Sequence, residues 1–156
     1  MNDDGIALRP ARQGDGQSVF DLTWMSVKAL AKDHYPPDVI ASWMGERTPA
    51  FYEKLIANGL MVVAEQGGTI VGFVDAEPGE VTRLFVQPGV SGRGLGGHLL
   101  QIGIEQARRG HKGPIKVEAT LNAVGFYERY GFKSLHSCFS SHNPAGPPIQ
   151  LVLMEL

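Results

Sequence analysis

Two short stretches of this chain hold residue types that do chemistry. The first is VQPGVSGRGLGGHLL, Val86 to Leu100, with glycines at 89, 92, 94, 96 and 97 just before a run of leucines. Gly92, Gly94 and Gly97 satisfy G-x-G-x-x-G, and Glu118 follows about twenty residues on, where a dinucleotide fold places the acid that binds ribose. Gly89 and Gly94 also have the spacing of a phosphate-binding P-loop. A third chemistry is open to the same residues. Gly92, Gly94 and Gly96 let the backbone curl without Cβ atoms at a helix start, so that N–H groups converge on an anion at the positive helix end. Arg93 adds a charge-assisted donor. Against all three stands a glycine loop that merely turns the chain. The second stretch is NAVGFYERYGF, Asn122 to Phe132, an aromatic cluster that is either packing or a site around Tyr127.

Context separates these readings. A dinucleotide turn leaves its strand directly, whereas Gln87-Pro88-Gly89-Val90-Ser91 intervenes here between Val86 and Gly92. A P-loop needs Lys and Ser or Thr where this chain has Leu95 and Gly96, so no side chain is placed to hold a phosphate or a magnesium ion. The anion cradle needs neither, and it remains.

The elements that position these stretches follow from periodicity. Ile6–Arg9 reads as a strand stopped by Pro10. A helix from about Gln17 to Lys32 has Asp15 as its N-cap and an apolar face, and two shorter helices fit Asp38–Met44 and Ala50–Ala57. MVVAEQ, a Gly67-Gly68 turn, TIVGFVDAE, a Pro78-Gly79 turn and EVTRLFV form an antiparallel meander over residues 61–86. A helix over Gly94–Arg109, a strand IKVEA (115–119), a helix over Ala123–Tyr130 and two last strands, FKSLHSCF and IQLVLMEL, complete the chain. The fold class is α+β: a single mixed, mostly antiparallel sheet flanked by helices, with one strand–helix–strand crossover.

The chain of 156 residues suits one domain spanning 1–156, with an N-terminal strand and helices over 6–58, a core over 60–132 and a C-terminal hairpin over 132–156. A net charge of −2 gives no reason to expect nucleic acid or an anionic membrane as partner. No apolar run approaches a membrane span, no leader pattern opens the chain, and Cys138 stands alone, so a cytoplasmic protein is expected. His136, Cys138 and His142 match no strong metal spacing, and no metal is expected.

LFVQP…GRGLG…L together with N-x-x-x-FYERYGF resembles the GCN5-related N-acetyltransferases, which use acetyl-coenzyme A. The resemblance covers Leu60 to Phe132 and extends loosely to both ends. It implies a domain of that family's architecture and an acetyl-coenzyme A-dependent N-acyltransferase moving acetyl to a primary amine in a ternary complex, and it allows a homodimer. By the same resemblance Leu84, Phe85 and Val86 present backbone groups to the pantetheine arm, and an N–H near Val86 polarises the thioester carbonyl. Ser91, Gly92, Arg93, Gly94, Leu95 and Gly96 cradle the pyrophosphate. Asn122 bonds the cofactor arm, its alternative being a helix N-cap. Tyr127 protonates the departing thiolate, its alternative being a core aromatic. Ser91 departs from the family pattern, which has Gln or Arg there, and this bears on cofactor affinity. Tyr130 and Phe132 are assigned to the core, and Gly97 to close helix packing.

An amine acceptor arrives as an ammonium of pKa about 10 and must lose a proton before attack. Glu80, at the head of the central strand, is a base or water-orienting residue in this reading, or an exposed turn residue. Glu118 faces either the acceptor or solvent. Trp24, His34, Tyr35 and Trp43 are candidate acceptor walls, with core packing as the alternative. The rival functions are a non-catalytic coenzyme A sensor on the same fold, and a transferase for a longer acyl group or a protein amine.

Overall fold

The computed structural model describes residues 5–90, 94–140 and 145–156. Its elements are β1 (Ile6–Pro10), α1 (Gly16–Leu30), α2 (Pro37–Ser42), α3 (Pro49–Ala57), β2 (Val62–Gln66), β3 (Thr69–Glu77), β4 (Glu80–Val86), α4 (Leu95–Arg108), β5 (Lys116–Thr120), a 3-10 turn (Leu121–Ala123), α5 (Val124–Arg129), β6 (Lys133–Ser140) and β7 (Ile149–Glu155). The seven strands form one sheet in the order β1-β2-β3-β4-β5-β7-β6. Strands β4 and β5 are parallel and the other neighbours antiparallel, so the expected mixed sheet with one crossover through α4 is what forms. Among the described residues no helix is long and apolar enough to cross a membrane.

Side chains alternate across a pleated strand, so a sheet covered on both faces builds two cores. One gathers Ala64, Val74, Val81 and Met154 beneath Leu95, Leu99, Leu100 and Ile104 of α4. The other gathers Val63, Phe73 and Leu151 beneath Val19, Leu22 and Val27 of α1 and Tyr52 and Ile56 of α3. Strand β3 is buried from Ile70 through Ala76 because it lies between both. Helix α4 comes very close to the sheet: a Cβ at Gly103 would stand 2.7 Å from a Val74 methyl carbon.

The crossover pair makes the feature that matters for the site. Strands β4 and β5 pair at one position, Glu80 opposite Lys116, with the Lys116 N–H donating to the Gly79 carbonyl at 2.9 Å. Beyond it β5 follows β7 as far as Thr120, while β4 follows β3 as far as Val86. The two strands splay apart, and among the described residues the β4 edge facing the wedge has no strand partner beyond that position. Within β4, Arg83 lies opposite Asp75 and Val81 opposite Ala76, so Thr82 is an extra residue, a bulge at the mouth of the wedge.

Two local expectations change. Asp15 occupies the N-cap position of α1 but makes no side-chain cap. Its carboxylate instead takes Arg9 at 2.8 Å and the Arg12 N–H at 2.9 Å. The free N–H of Gly16 is satisfied from α3, by Glu53 at 2.7 Å. The segment after β5 enters through the 3-10 turn, so α5 is one residue shorter at each end than periodicity suggests.

Candidate active site

The wedge between β4 and β5 opens into a cleft of about 440 Å³ on the α4 side. Leu84 and Val86 from β4, Gly94, Gly96 and Gly97 from the head of α4, and Asn122 and Tyr127 beyond β5 line it, closed by Ser26, Val27 and Leu30 of α1. Gly94 is the N-cap of α4 at φ 82, a left-handed conformation that costs a residue with a Cβ about 1–2 kcal/mol. At Gly96 a Cβ would stand 3.2 Å from Phe126, and at Gly97 it would collide with the Tyr130 hydroxyl. The helix start is thus held open to the cleft by glycine and wedged against α5 by glycine. Among its described lining residues this cleft has no carboxylate and one cation, Arg129.

A second cleft of about 400 Å³ lies on the other side of the wedge. Arg47, Glu77, Glu80, Thr82, Arg83 and Glu118 give it its polar character. The two clefts share Trp43, Leu84, Phe85, Thr120, Ala123 and Tyr127, so they meet at the point where β4 and β5 separate.

Tyr127 stands at that junction, 6% exposed, with Phe126 and Phe132 packed against its ring at centroid distances of 5.2 and 5.5 Å. Among the described residues its hydroxyl has no hydrogen-bond partner, while burial pushes the phenol well above its ordinary value and keeps it protonated. Glu80 is half-buried in the second cleft. Burial first, then the charges of Glu118 and Glu77, raise its carboxyl above the ordinary value.

A cleft at a glycine-opened helix start and a polar cleft, meeting at one buried phenol, can be matched to known proteins. The model of the family described as Acetyltransferase (GNAT) domain matches residues 31–151. The chain belongs to the GNAT acetyltransferases. It is 30% identical over 130 residues, 83% of each chain, to the N-acetyltransferase YafP of Escherichia coli (strain K12). In fold it is similar to the GCN5-related N-acetyltransferase of Rhodopseudomonas palustris, with a TM-score of 0.85 at 23% identity over 99% of this chain and 97% of that one. It is also similar to the PaiA N-acetyltransferase of Thermoplasma acidophilum, solved with coenzyme A, with a TM-score of 0.75 at 21% identity over 96% and 97% of the two chains.

In this GNAT chain the structure brings Leu84, Phe85, Val86, Gly94, Gly96, Asn122 and Tyr127 to one cleft, and Glu80 to the cleft that joins it. Ser91, Gly92, Arg93 and His142 lie outside the described residues. Leu95 turns its side chain into the core at 1% exposure and leaves only backbone to the helix start. Asn122 lies inside the 3-10 turn, and Ala123 takes the N-cap position of α5, so the capping alternative for Asn122 does not hold. Tyr130 is not core: it is 37% exposed, lines the first cleft and packs on Phe126, because α5 ends there and its ring rests on the Cβ-free surface at Gly97. Phe132 is core at 2% exposure.

Of the candidate walls, Trp43 lines both clefts, and His34 is exposed and lines neither. Trp24 is half-buried against the α1–α3 core with Lys28 over its ring. Tyr35 is a buried strut: its hydroxyl donates to the Gln150 carbonyl at 2.5 Å and accepts from the Leu121 N–H at 2.9 Å. Sequence reasoning missed Ser26, Arg47, Thr82, Arg83 and Arg129. Arg83 carried a weak signal, since a strand followed through its alternation puts it on the same side as Phe85. Arg47, in a loop between two short helices, carried none.

Proposed function

We propose that this protein transfers an acetyl group from acetyl-coenzyme A to a primary amine by direct attack in a ternary complex. The junction carries the reading. Direct transfer needs two substrates that enter separately and meet at one place, and the two clefts share Tyr127 and the end of β4. Cys138, the only cysteine, lines neither cleft, so no thiol stands ready to carry the acetyl group between them.

The first cleft fits the cofactor. The unpaired edge of β4 at Leu84, Phe85 and Val86 can take an extended amide-bearing arm as an added strand. Gly94 and Gly96, with the backbone of Leu95 at the positive end of α4, suit a pyrophosphate, and Asn122 and Arg129 can add side-chain donors. Ser91, Gly92 and Arg93 keep their cradle assignment from the sequence. The coenzyme A complex of the Thermoplasma protein supports this use of the fold.

Bound acetyl-coenzyme A supplies the acyl group as a thioester. Glu80 takes the acceptor's proton, directly or through water. Its raised pKa narrows the gap to an ammonium near 10, which for an ordinary carboxylate is about six units. Tyr127 holds a proton at the junction for the departing sulfur. The burial that raises the phenol raises an adjacent thiolate as well, so the two stay matched.

Thiol release from acetyl-coenzyme A, followed against a panel of primary amines, tests the reading. Amine-dependent release supports it. Tight cofactor binding by calorimetry with no release on any amine turns it toward a sensor. Tyr127→Phe is expected to lower kcat by about 10²–10⁴-fold with little change in cofactor affinity. Unchanged turnover removes Tyr127 from the mechanism.

A further inference from the structure

Among the described residues the second cleft holds charges of both signs with no salt bridge between them, although the Arg83 charge reaches Glu80 and the Glu77 charge reaches Arg83. Glu80 and Glu118 are close enough that the Glu118 charge acts on Glu80. The guanidinium carbons of Arg47 and Arg83 lie 4.9 and 5.6 Å from the centroid of the Phe51 ring. The Arg47 charge in turn acts on Arg83. Among the described residues no salt bridge joins either arginine to a carboxylate of the cleft. The acid nearest Arg83 is Asp75, at 3.8 Å, beyond hydrogen-bond reach; it is buried at 4% exposure and does not line the cleft.

Such sorting is costly to the empty protein. Like charges side by side repel, and cross-pairing would relieve both groups. The arrangement gains further when a ligand brings an ammonium to the acids and an anion to the arginines. Two guanidinium forks over one aromatic ring are suited to a flat oxyanion, which they can bind with paired N–H donors. The cofactor's phosphates do not account for them, because neither arginine lines the first cleft. The Thr82 hydroxyl, at the bulge, is buried with no hydrogen-bond partner among the described residues and lines the same cleft, so a further hydrogen bond is open there.

We propose that the acceptor is a zwitterion: a small primary amine that also bears an anionic oxygen group, carboxylate or phosphonate, with its ammonium toward Glu80 and Glu118 and its anion toward Arg47 and Arg83. This rests on the transferase reading above. The amine nitrogen bonds the acetyl carbon, the thioester C–S bond breaks, the sulfur departs as the free thiol with a proton from Tyr127, which the second nitrogen proton replaces, and the first ammonium proton leaves through the Glu80 side. The anionic group takes no part in bond changes and sets only which amine is bound.

The test compares kcat/KM on the full-length protein for matched pairs: phenylalanine against phenethylamine, 4-aminobutyrate against butylamine, and 2-aminoethylphosphonate against ethylamine. Within at least one pair the zwitterion is expected to lead by about tenfold to a hundredfold. The carboxylate and phosphonate pairs show which anion is preferred. Arg47→Gln is expected to collapse that ratio and Arg47→Lys to restore part of it, with thermal melting confirming that both variants fold. Turnover on the plain amines with no zwitterion preference, or best turnover on a diamine, overturns the proposal and leaves the transferase reading standing. No turnover on any pair, together with failure to bind acetyl-coenzyme A by calorimetry, overturns both.

Discussion

Glu80 shares its cleft with Glu77 and Glu118, and burial with their charge raises its pKa. A raised carboxyl keeps its proton to higher pH, so a base role weakens as pH falls through a value above the ordinary 4.3 or so. Removing the Glu118 charge lowers that value. Glu118→Gln is therefore expected to move the acid limb of kcat/KM to lower pH, and Glu80→Gln to abolish the limb. A limb that stays in place in both variants belongs to another group. Tyr35 shows a different dependence. Its phenol joins the Leu121 N–H, at the turn that carries Asn122, to the Gln150 carbonyl of β7. Tyr35→Phe leaves both groups unpaired and is expected to cost about 1–3 kcal/mol in urea unfolding. The residue types were legible at both positions. That Tyr35 is a strut rather than a wall was not, because its two partners lie 86 and 115 residues away in sequence.

Helix α4 serves the site through how closely it lies on the sheet. Gly103 faces Val74 and Val81, and a Cβ there would meet the Val74 methyl at 2.7 Å in a strand buried on both faces. Alanine would favour the helix by about 1 kcal/mol, but overpacking a core costs about 1–3 kcal/mol. Gly103→Ala is expected to lower Tm despite its helix propensity, and a rise in Tm would show that α4 can lift without strain. The strands and helices themselves were readable, because period-2 and period-3.6 patterns reflect burial by one face. What local pattern did not show was the capping at α1, where the Gly16 N–H donates to Glu53 of α3 and Asp15 makes no side-chain cap.

Across the whole molecule, Arg9 ties the N-terminal strand to its surroundings, bonding Asp15 before α1 and Glu65 of β2 at 2.8 Å each. The Arg9 hydrogen bond lowers the Asp15 pKa below its ordinary value. The stability this contributes is complete above the unfolded pKa of about 3.9 and is lost as pH falls through the lower folded value. Asp15→Asn is expected to lower the urea midpoint near neutral pH and to flatten its fall between about pH 4 and pH 2. A parallel curve for the variant places the acid sensitivity elsewhere. The sequence by itself determined the α+β class, the crossover, the glycine-opened helix start and the tyrosine after it, because each is a local pattern of spacing and backbone freedom. Only the tertiary structure decided that β4 and β5 pair at a single position and then diverge, that two clefts meet at Tyr127, and that Arg47 and Arg83 gather over Phe51 in the cleft that also holds Glu80 and Glu118. Those arrangements depend on which distant segments compete for the same strand edge and the same ring, and spacing along one chain does not record that competition.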